Sequence, residues 1–419
     1  MSKEQIRSIK GTQDILPDQS HKWQNLENRI HSIMKLYNYK EIRTPVFEKT
    51  ELFNRGVGTE TDIVSKEMYS WTDQGGENLT LKPELTAPVS RAFIQHNLGN
   101  QQPLTKLYYI DASFRRERPQ KGRYRQFHQF GAEAFGSEHS EIDSEIIAMA
   151  ITLFNQIGIK DLSLNINSIG SEDCRKNYIE KLKEFLKPHF DDLTKTSQQR
   201  FEKNPLRILD SKAPDEVELI KGAPLISEFW TQDDRDHFNE LCSYLDAMDI
   251  NYNIDPKLVR GLDYYSRTTF EITSSSLGAQ DAICGGGRYD QLVETIGGKP
   301  TPGIGFAAGM ERILMALDGD DVQNNIKIFV VGLGSKARTV VAKLTKELRQ
   351  ENLSCEYDML RRSMKSQMRE ANKLGAKYVI IIGENELQQN QAELKDLTTG
   401  NQEKVGLDSI VKHMSSLSF

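Results

Sequence analysis

The sequence predicts two folded units: an α+β domain interrupted by a helical insertion, then a small α/β domain. Three observations predict this. A chain of 419 residues exceeds one ordinary domain. Strand-textured stretches before about residue 172 and after about residue 250 bracket a charged, helical stretch with few strand signals. From residue 326 onward, strand-like and helix-like segments alternate, the pattern of a largely parallel sheet. The units are expected at 1–325 and 326–419, joined by the polar, turn-rich DGDDVQNN at 318–325.

Each element has a local cause. Residues 18–38 place Trp23, Leu26, Ile30, Ile33, Met34 and Tyr37 at three- and four-residue steps, which predicts an amphipathic helix. EIRTPVFEKT reads as a short strand interrupted by Pro45. A proline cannot donate a ladder hydrogen bond, so this run belongs at an edge or an interface. Residues 105–136 read as two strands joined by a polar loop. CRKNYIEKLKEFLKPHF and RDHFNELCSYLDAMDI are helical, and with their surroundings form the insertion at about 172–250. Strand texture returns at LVRGLDYYSRTTFEITSS. GGGRYD reads as a glycine turn, and GIGFAAGMERILMAL runs from a buried strand into a helix. The second unit reads as the strand KIFVVGLG, a helix to about Arg349, the strand LSCEYDML, a helix over SMKSQMREANKLG, and the strand KYVIIIG.

Composition narrows the function. The apolar fraction is 37% and the charged fraction 27%, which suits a soluble protein. No run approaches a membrane span of about 18 apolar residues, and MSKEQIRSIKGTQD lacks the apolar core of a signal peptide. Cys174, Cys242, Cys284 and Cys355 are far apart and read as reduced thiols in a cytoplasmic protein, not a disulfide frame or a zinc site. The histidines show no ligand pairing at i, i+4. Net charge is −6, yet nucleic acid is compatible with it, because a local basic patch is what matters.

Such a patch stands out. FRRERPQKGRYRQFHQFGAEAFG, residues 114–136, gathers Arg115, Arg116, Arg118, Lys121, Arg123 and Arg125 around one acid, Glu117. Guanidinium groups bind phosphate bidentately, so this loop suits nucleotide phosphates or an RNA end; the plain alternative is a solvated charged loop. Strand parity puts Gln129, Gly131 and Glu133 on one face, with Gln129 and Glu133 about 13 Å apart. Gly131 between them reads as a bare floor for a small ligand, or the face is simply solvated. In KPELTAP, Glu84 and Thr86 share a face and suit a ligand ammonium, or form a surface turn. RGLDYY presents Arg260, Tyr264 and Tyr265 near a strand start, and Arg312 opens the helix after GFAAGME. GLGSKA, residues 332–337, fits a dinucleotide fingerprint, with Glu356 where a ribose-binding acid should lie. Its domain has fewer than 100 residues, too few for two mononucleotide halves.

These segments together resemble the histidyl-tRNA synthetases, a class II aminoacyl-tRNA synthetase family, over nearly the whole chain. GTQDILP resembles the family's opening segment, IRTPVFEKTELF class II motif 1, FRRERPQKGRYRQFHQFGAEAFG motif 2 and GIGFAAGMERI motif 3. LVRGLDYYSRTTFE and GGGRYD resemble the two histidine-specific signatures. Residues 326–419 resemble the group's anticodon-binding domain.

The resemblance implies a catalytic domain on an antiparallel sheet flanked by helices, a homodimer formed through motif 1, and two steps: histidyl-adenylate formation from L-histidine and ATP, then transfer to histidine tRNA. ATP with Mg²⁺ is implied as substrate; no protein-bound metal or organic cofactor, membrane or DNA is expected. Arg115 resembles the motif 2 arginine on the α-phosphate, Arg260 a second arginine there, and Arg312 the motif 3 arginine on the triphosphate and adenine. Arg123 resembles a further ATP contact. Glu84, Thr86 and Gln129 resemble the groups holding the substrate's ammonium and carboxylate. Glu133 and Tyr265, with Tyr264 beside them, resemble the imidazole readers. Arg116 and Gln120 in the loop, and Arg361, Arg362, Lys365, Arg369 and Lys373 in the last domain, are expected on tRNA, with the insertion on its acceptor arm. Two departures stand out. The family often reads Arg-Pro-Glu-Gly-Thr where this chain has Lys82 to Thr86, and histidine where it has Arg116. The alternative is the non-catalytic paralogue that serves as histidine-binding regulatory subunit of ATP phosphoribosyltransferase. That paralogue generally lacks the anticodon module and parts of the arginine set. A synthetase-derived RNA-binding protein that uses no ATP is a third reading.

Overall fold

The computed structural model describes residues 5–417 apart from 60, 121, 210, 212, 278–281 and 318–325. The expected linker and Lys121 therefore lie outside the described residues. Two units form, Met1–Asp320 and Asp321–Phe419.

An eight-stranded sheet carries the first unit: β1 (Lys40–Glu41), β2 (Thr105–Phe114), β3 (Gln126–Phe135), β4 (Leu162–Ser168), β5 (Asn253–Ile254), β6 (Ser266–Ser274), β7 (Ala282–Arg288) and β8 (Gly303–Gly309). Its order is β1-β2-β3-β8-β7-β6-β4-β5. The six central strands are antiparallel, as the resemblance implies. The two-residue strands at either edge run parallel to their neighbours.

Helix α1 (Pro17–Leu36) buries Trp23, Leu26, Ile30, Ile33 and Met34, the stripe the periodicity predicts. It stops at Tyr37 because Asn38 takes a left-handed conformation, φ 60°. Pro45 separates two sheets: Lys40–Glu41 pairs with β2, whereas Phe47–Lys49 joins a small sheet with Tyr69–Thr72 and Asn78–Leu81.

Alternation along β3 sorts its side chains. Phe130, Ala132 and Ala134 enter the main core with α1, α3 (Ser140–Ile157) and α6 (Gln232–Ala247). Glu133 and Phe135 face the other way, where α2 (Thr86–Gln95) packs Val89 and Phe93. The candidate site residues Glu84, Thr86 and Glu133 gather on this second face. The insertion has its own core, built on α4 (Glu172–Leu186) and α5 (Lys195–Lys203). Helix α6, read from sequence with the insertion, instead places Phe238, Leu241 and Leu245 in the main core.

GGGRYD is not a turn. Gly285, Gly286 and Gly287 lie in mid-strand on β7, between β6 and β8. Glycine there serves close approach: a Cβ at Gly285 would collide with the Arg260 guanidinium. LVRGLDYY, by contrast, is loop, and β6 begins only at Ser266.

In the second unit β9 (Ile328–Gly332), β10 (Cys355–Tyr357) and β11 (Tyr378–Ile382) are parallel. They alternate with α8 (Ser335–Gln350) and α9 (Met364–Lys373). A terminal hairpin, β12 (Gln391–Asp396) and β13 (Gln402–Gly406), adds antiparallel strands beside β11. This hairpin lies beyond the last strand the sequence predicts, KYVIIIG.

Candidate active site

Glu133 is fully buried. Three hydroxyls donate to its carboxylate: Thr86 Oγ1 at 2.8 Å and Tyr109 at 3.1 Å to Oε1, and Tyr289 at 2.5 Å to Oε2. Burial pushes this carboxyl up to about 8; the hydroxyl donors oppose the rise and the charge of Glu84 adds to it. Glu84, also buried, accepts from the backbone N–H of Thr86 (2.8 Å) and Ala87 (3.0 Å), capping α2. Burial pushes it up to about 7. Tyr264 joins the cluster, its ring 4.7 Å from Tyr265 and 5.7 Å from Tyr289.

Gly131 does not leave a bare floor. Its cross-strand partner is Tyr109, whose hydroxyl and ring take the space a Cβ would need. Glycine at 131 thus admits Tyr109 to Glu133, and Gly305 on β8 admits the Glu133 carboxylate itself. Gln129 lies further along the same face of β3, where Ser113 Oγ donates to it at 3.5 Å.

Arginines gather beside this carboxylate well. Arg115 Nε donates to the Pro83 carbonyl at 2.8 Å, tying the basic hairpin to the Glu84 loop, and its guanidinium stands over the Phe127 ring. Glu117 faces both Arg115 (3.7 Å) and Arg123 (3.3 Å). Arg312, on α7 (Met310–Ala316), donates to the Ala282 carbonyl at 2.8 Å. Burial lowers its pKa, and the nearby positive charge of Arg123 lowers it further. Arg260 pairs with Glu271 at 2.7 Å and lies against Gly285. Four guanidiniums thus border one site with carboxylates Glu117 and Glu271 between them. Such a cluster is built to exchange internal ion pairs for phosphate oxygens.

The remaining expected residues fall in different places. Arg116 stands over Tyr69 at 6.0 Å, and Gln120 is exposed in the loop. Gly11, in GTQDILP, accepts from the Arg125 N–H, so the opening segment packs on the hairpin. In the second unit Arg361, Lys365, Arg369 and Lys373 are exposed on and before α9. Arg362 differs: Asp358 and Glu370 hold it in ion pairs within the unit.

The departure at the Glu84 loop has a local account at both Lys82 and Leu85. Lys82 is fully buried and donates to Asp111 Oδ2 at 2.5 Å and to the Thr44 carbonyl at 3.2 Å. Leu85 has φ −117°, which needs no glycine. Sequence reasoning missed Tyr109 and Tyr289. Counting back across the hairpin from the basic loop would have paired Tyr109 with Gly131.

Comparisons with known proteins identify the family. A family model described as Histidyl-tRNA synthetase matches residues 11–313, and one described as Anticodon binding domain matches 327–417. The chain is 48% identical to the histidine–tRNA ligase of Thermoanaerobacter pseudethanolicus, over 98% of this chain and 99% of that protein. It is 47% identical to that of Halothermothrix orenii, with the same coverage. The crystal structure of apo S. aureus histidyl-tRNA synthetase superposes with a TM-score of 0.84 at 38% identity, covering 98% of this chain and 100% of that one. The chain belongs to the histidyl-tRNA synthetase family.

Proposed function

We infer that this chain is a histidine–tRNA ligase. L-histidine and ATP form histidyl-adenylate and pyrophosphate, and the histidyl group then passes to histidine tRNA. The observation that carries the reading is a fully buried carboxylate ringed by three hydroxyls, set beside four arginines.

Glu133 and Tyr265, with Tyr264, read the imidazole; Tyr109 and Tyr289 hold the Glu133 carboxylate in place. Glu84, Thr86 and Gln129 take the ammonium and carboxylate. ATP enters as its Mg²⁺ complex, with Arg115, Arg123 and Arg312 on its phosphates and adenine. When the histidine carboxylate attacks the α-phosphorus, negative charge grows on the equatorial oxygens. Arg115 and Arg260 stabilise that charge, and pyrophosphate leaves with the electron pair. No protein nucleophile is needed. The regulatory-subunit reading has no comparable support, because this chain retains both the arginine set and the anticodon-binding module.

The pH dependence follows from the two carboxyls. In the empty site Glu133 titrates at about 8 and Glu84 at about 7, and a free imidazole at about 6.5. At neutral pH the enzyme brings one proton to Glu133 and the ring brings none beyond its own N–H, so the pair shares that proton. kcat/KM for histidine should be bell-shaped. It falls below about 7, as Glu84 becomes neutral and the ring acquires its own second proton, and above about 8, as the shared proton is lost. Glu133→Gln should abolish the alkaline limb; an unchanged profile would contradict the pairing.

Removing 326–419 should weaken tRNA charging at least 100-fold more than adenylate formation, and charging by the full chain should weaken steeply with salt as phosphate contacts are screened. Equal loss in both assays would refute this division. The resemblance also implies a dimer through the motif 1 segment. Phe47 in that segment and Trp71 in the same small sheet are 51% and 41% exposed, their rings 6.0 Å apart. Sedimentation should give a dimer, and Phe47→Glu with Trp71→Glu a monomer; a monomeric parent protein would remove the proposal.

A further inference from the structure

The segment Leu258–Tyr265, which carries Arg260, Tyr264 and Tyr265, has no regular structure to hold it. Much of its support comes from the helical insertion. Arg175 on α4 donates from Nη1 to the Tyr265 carbonyl at 2.6 Å and lies 3.5 Å from the Asp263 carbonyl. Asn204, just after α5, donates to Asp263 Oδ1 at 2.6 Å. The side chain of Tyr265 belongs to the insertion's own apolar core, with Tyr178 and Leu182, and Val259 and Leu262 pack on it. A cavity of about 250 Å³ lies beneath, bordered by Arg175, Asn204, Arg260 and Tyr265. The loop is therefore held by a few polar contacts and by the side chains it buries in the insertion, with open space beside them.

The insertion is itself anchored to the catalytic domain. Arg207 and Arg200 pair with Asp62 at 2.8 and 3.5 Å, and Asp62 follows the segment where Gly58, at φ 97°, makes room for the Asp263 carboxylate. Asp263 is thus clasped between the insertion and the Gly58 turn, one residue before the tyrosine pair.

We propose that Arg175 and Asn204 are positioning residues for the Leu258–Tyr265 segment, so that the insertion sets affinity for the histidine ring. This rests on the reading of Tyr264 and Tyr265 as ring readers. A displaced carbonyl at Tyr265 moves the phenol that faces the ring, while the ATP-binding groups Arg115, Arg123 and Arg312 come from other elements and stay in place; Arg260, though on the segment, is held separately by Glu271 on β6 and lies against Gly285 on β7.

The test is ATP–pyrophosphate exchange by the full-length protein, with histidine and ATP varied separately. Arg175→Ala should raise the histidine KM about tenfold, the effect of one lost charge-assisted hydrogen bond, and leave the ATP KM within about twofold. Arg175→Lys should recover most of the loss, because an ammonium can reach the same carbonyl. Asn204→Ala should raise the histidine KM about threefold; it keeps the test alive if Arg175→Ala fails to fold. An unchanged histidine KM in folded variants, or equal rises for histidine and ATP, would overturn the proposal. Absence of histidine-dependent exchange in the parent protein would defeat the functional reading as well.

Discussion

Arg260→Gln should lower the kcat of histidine-dependent ATP–pyrophosphate exchange by about 10²–10³, with much smaller changes in the KM for either substrate. Arg260 is placed for charge that develops in the reaction. Its guanidinium lies against the β7 backbone at Gly285 and is held at one end by Glu271. That geometry fixes a planar donor before substrate arrives, so little reorganisation remains for the transition state. Glutamine keeps an amide but loses the charge. Lysine keeps the charge but cannot spread over the glycine strand, so Arg260→Lys should also be impaired. Loss of less than tenfold in the glutamine variant would remove Arg260 from the chemistry.

Glu133→Gln should reduce kcat/KM for histidine by about 10², because the ring loses the desolvated carboxyl with which it shares a proton. The KM for ATP should stay within about twofold. Thr86 and Tyr109 donate to one oxygen of the carboxylate and Tyr289 to the other, so an amide NH₂ must face at least one hydroxyl that now points a proton at it. Discrimination against other amino acids should weaken too, since a site built to pair polar groups rejects substrates that leave them unpaired. Stability offers an independent reading. The folded carboxyl titrates at about 8 against an unfolded value near 4.5, so its contribution to stability is present below about 4.5 and is lost as pH rises to about 8. The melting temperature of Glu133→Gln should therefore fall less between pH 5 and 8 than that of the parent protein. Unchanged histidine kinetics with normal folding would show that Glu133 is only structural.

Much of this arrangement is legible in the sequence because it is local. The stripe of α1, the hairpin around the basic loop and the alternation of β3 each follow from spacing along one segment. The glycines of GGGRYD were misread because their cause is not local: a strand tolerates three glycines when Arg260 must lie on one of them and Phe270 and Tyr265 crowd the others. Tyr109 and Tyr289 were overlooked for the same reason. Parity tells which face a side chain takes, but only pairing between strands brings Tyr109 across from Gly131 and Tyr289 to Glu133. The hairpin β12–β13 escaped notice because its strands are short and mostly polar, with only Ala392, Leu394 and Val405 turned into the core.

The most direct test is ATP–pyrophosphate exchange by the purified protein with each amino acid in turn. Exchange with histidine alone is the predicted result, because Glu133 and its hydroxyls pair with a ring that no other amino acid carries. No exchange from a folded protein that still binds histidine would contradict the account: the carboxylate well would then be a sensor of histidine, and the arginines around it would have no reaction to serve.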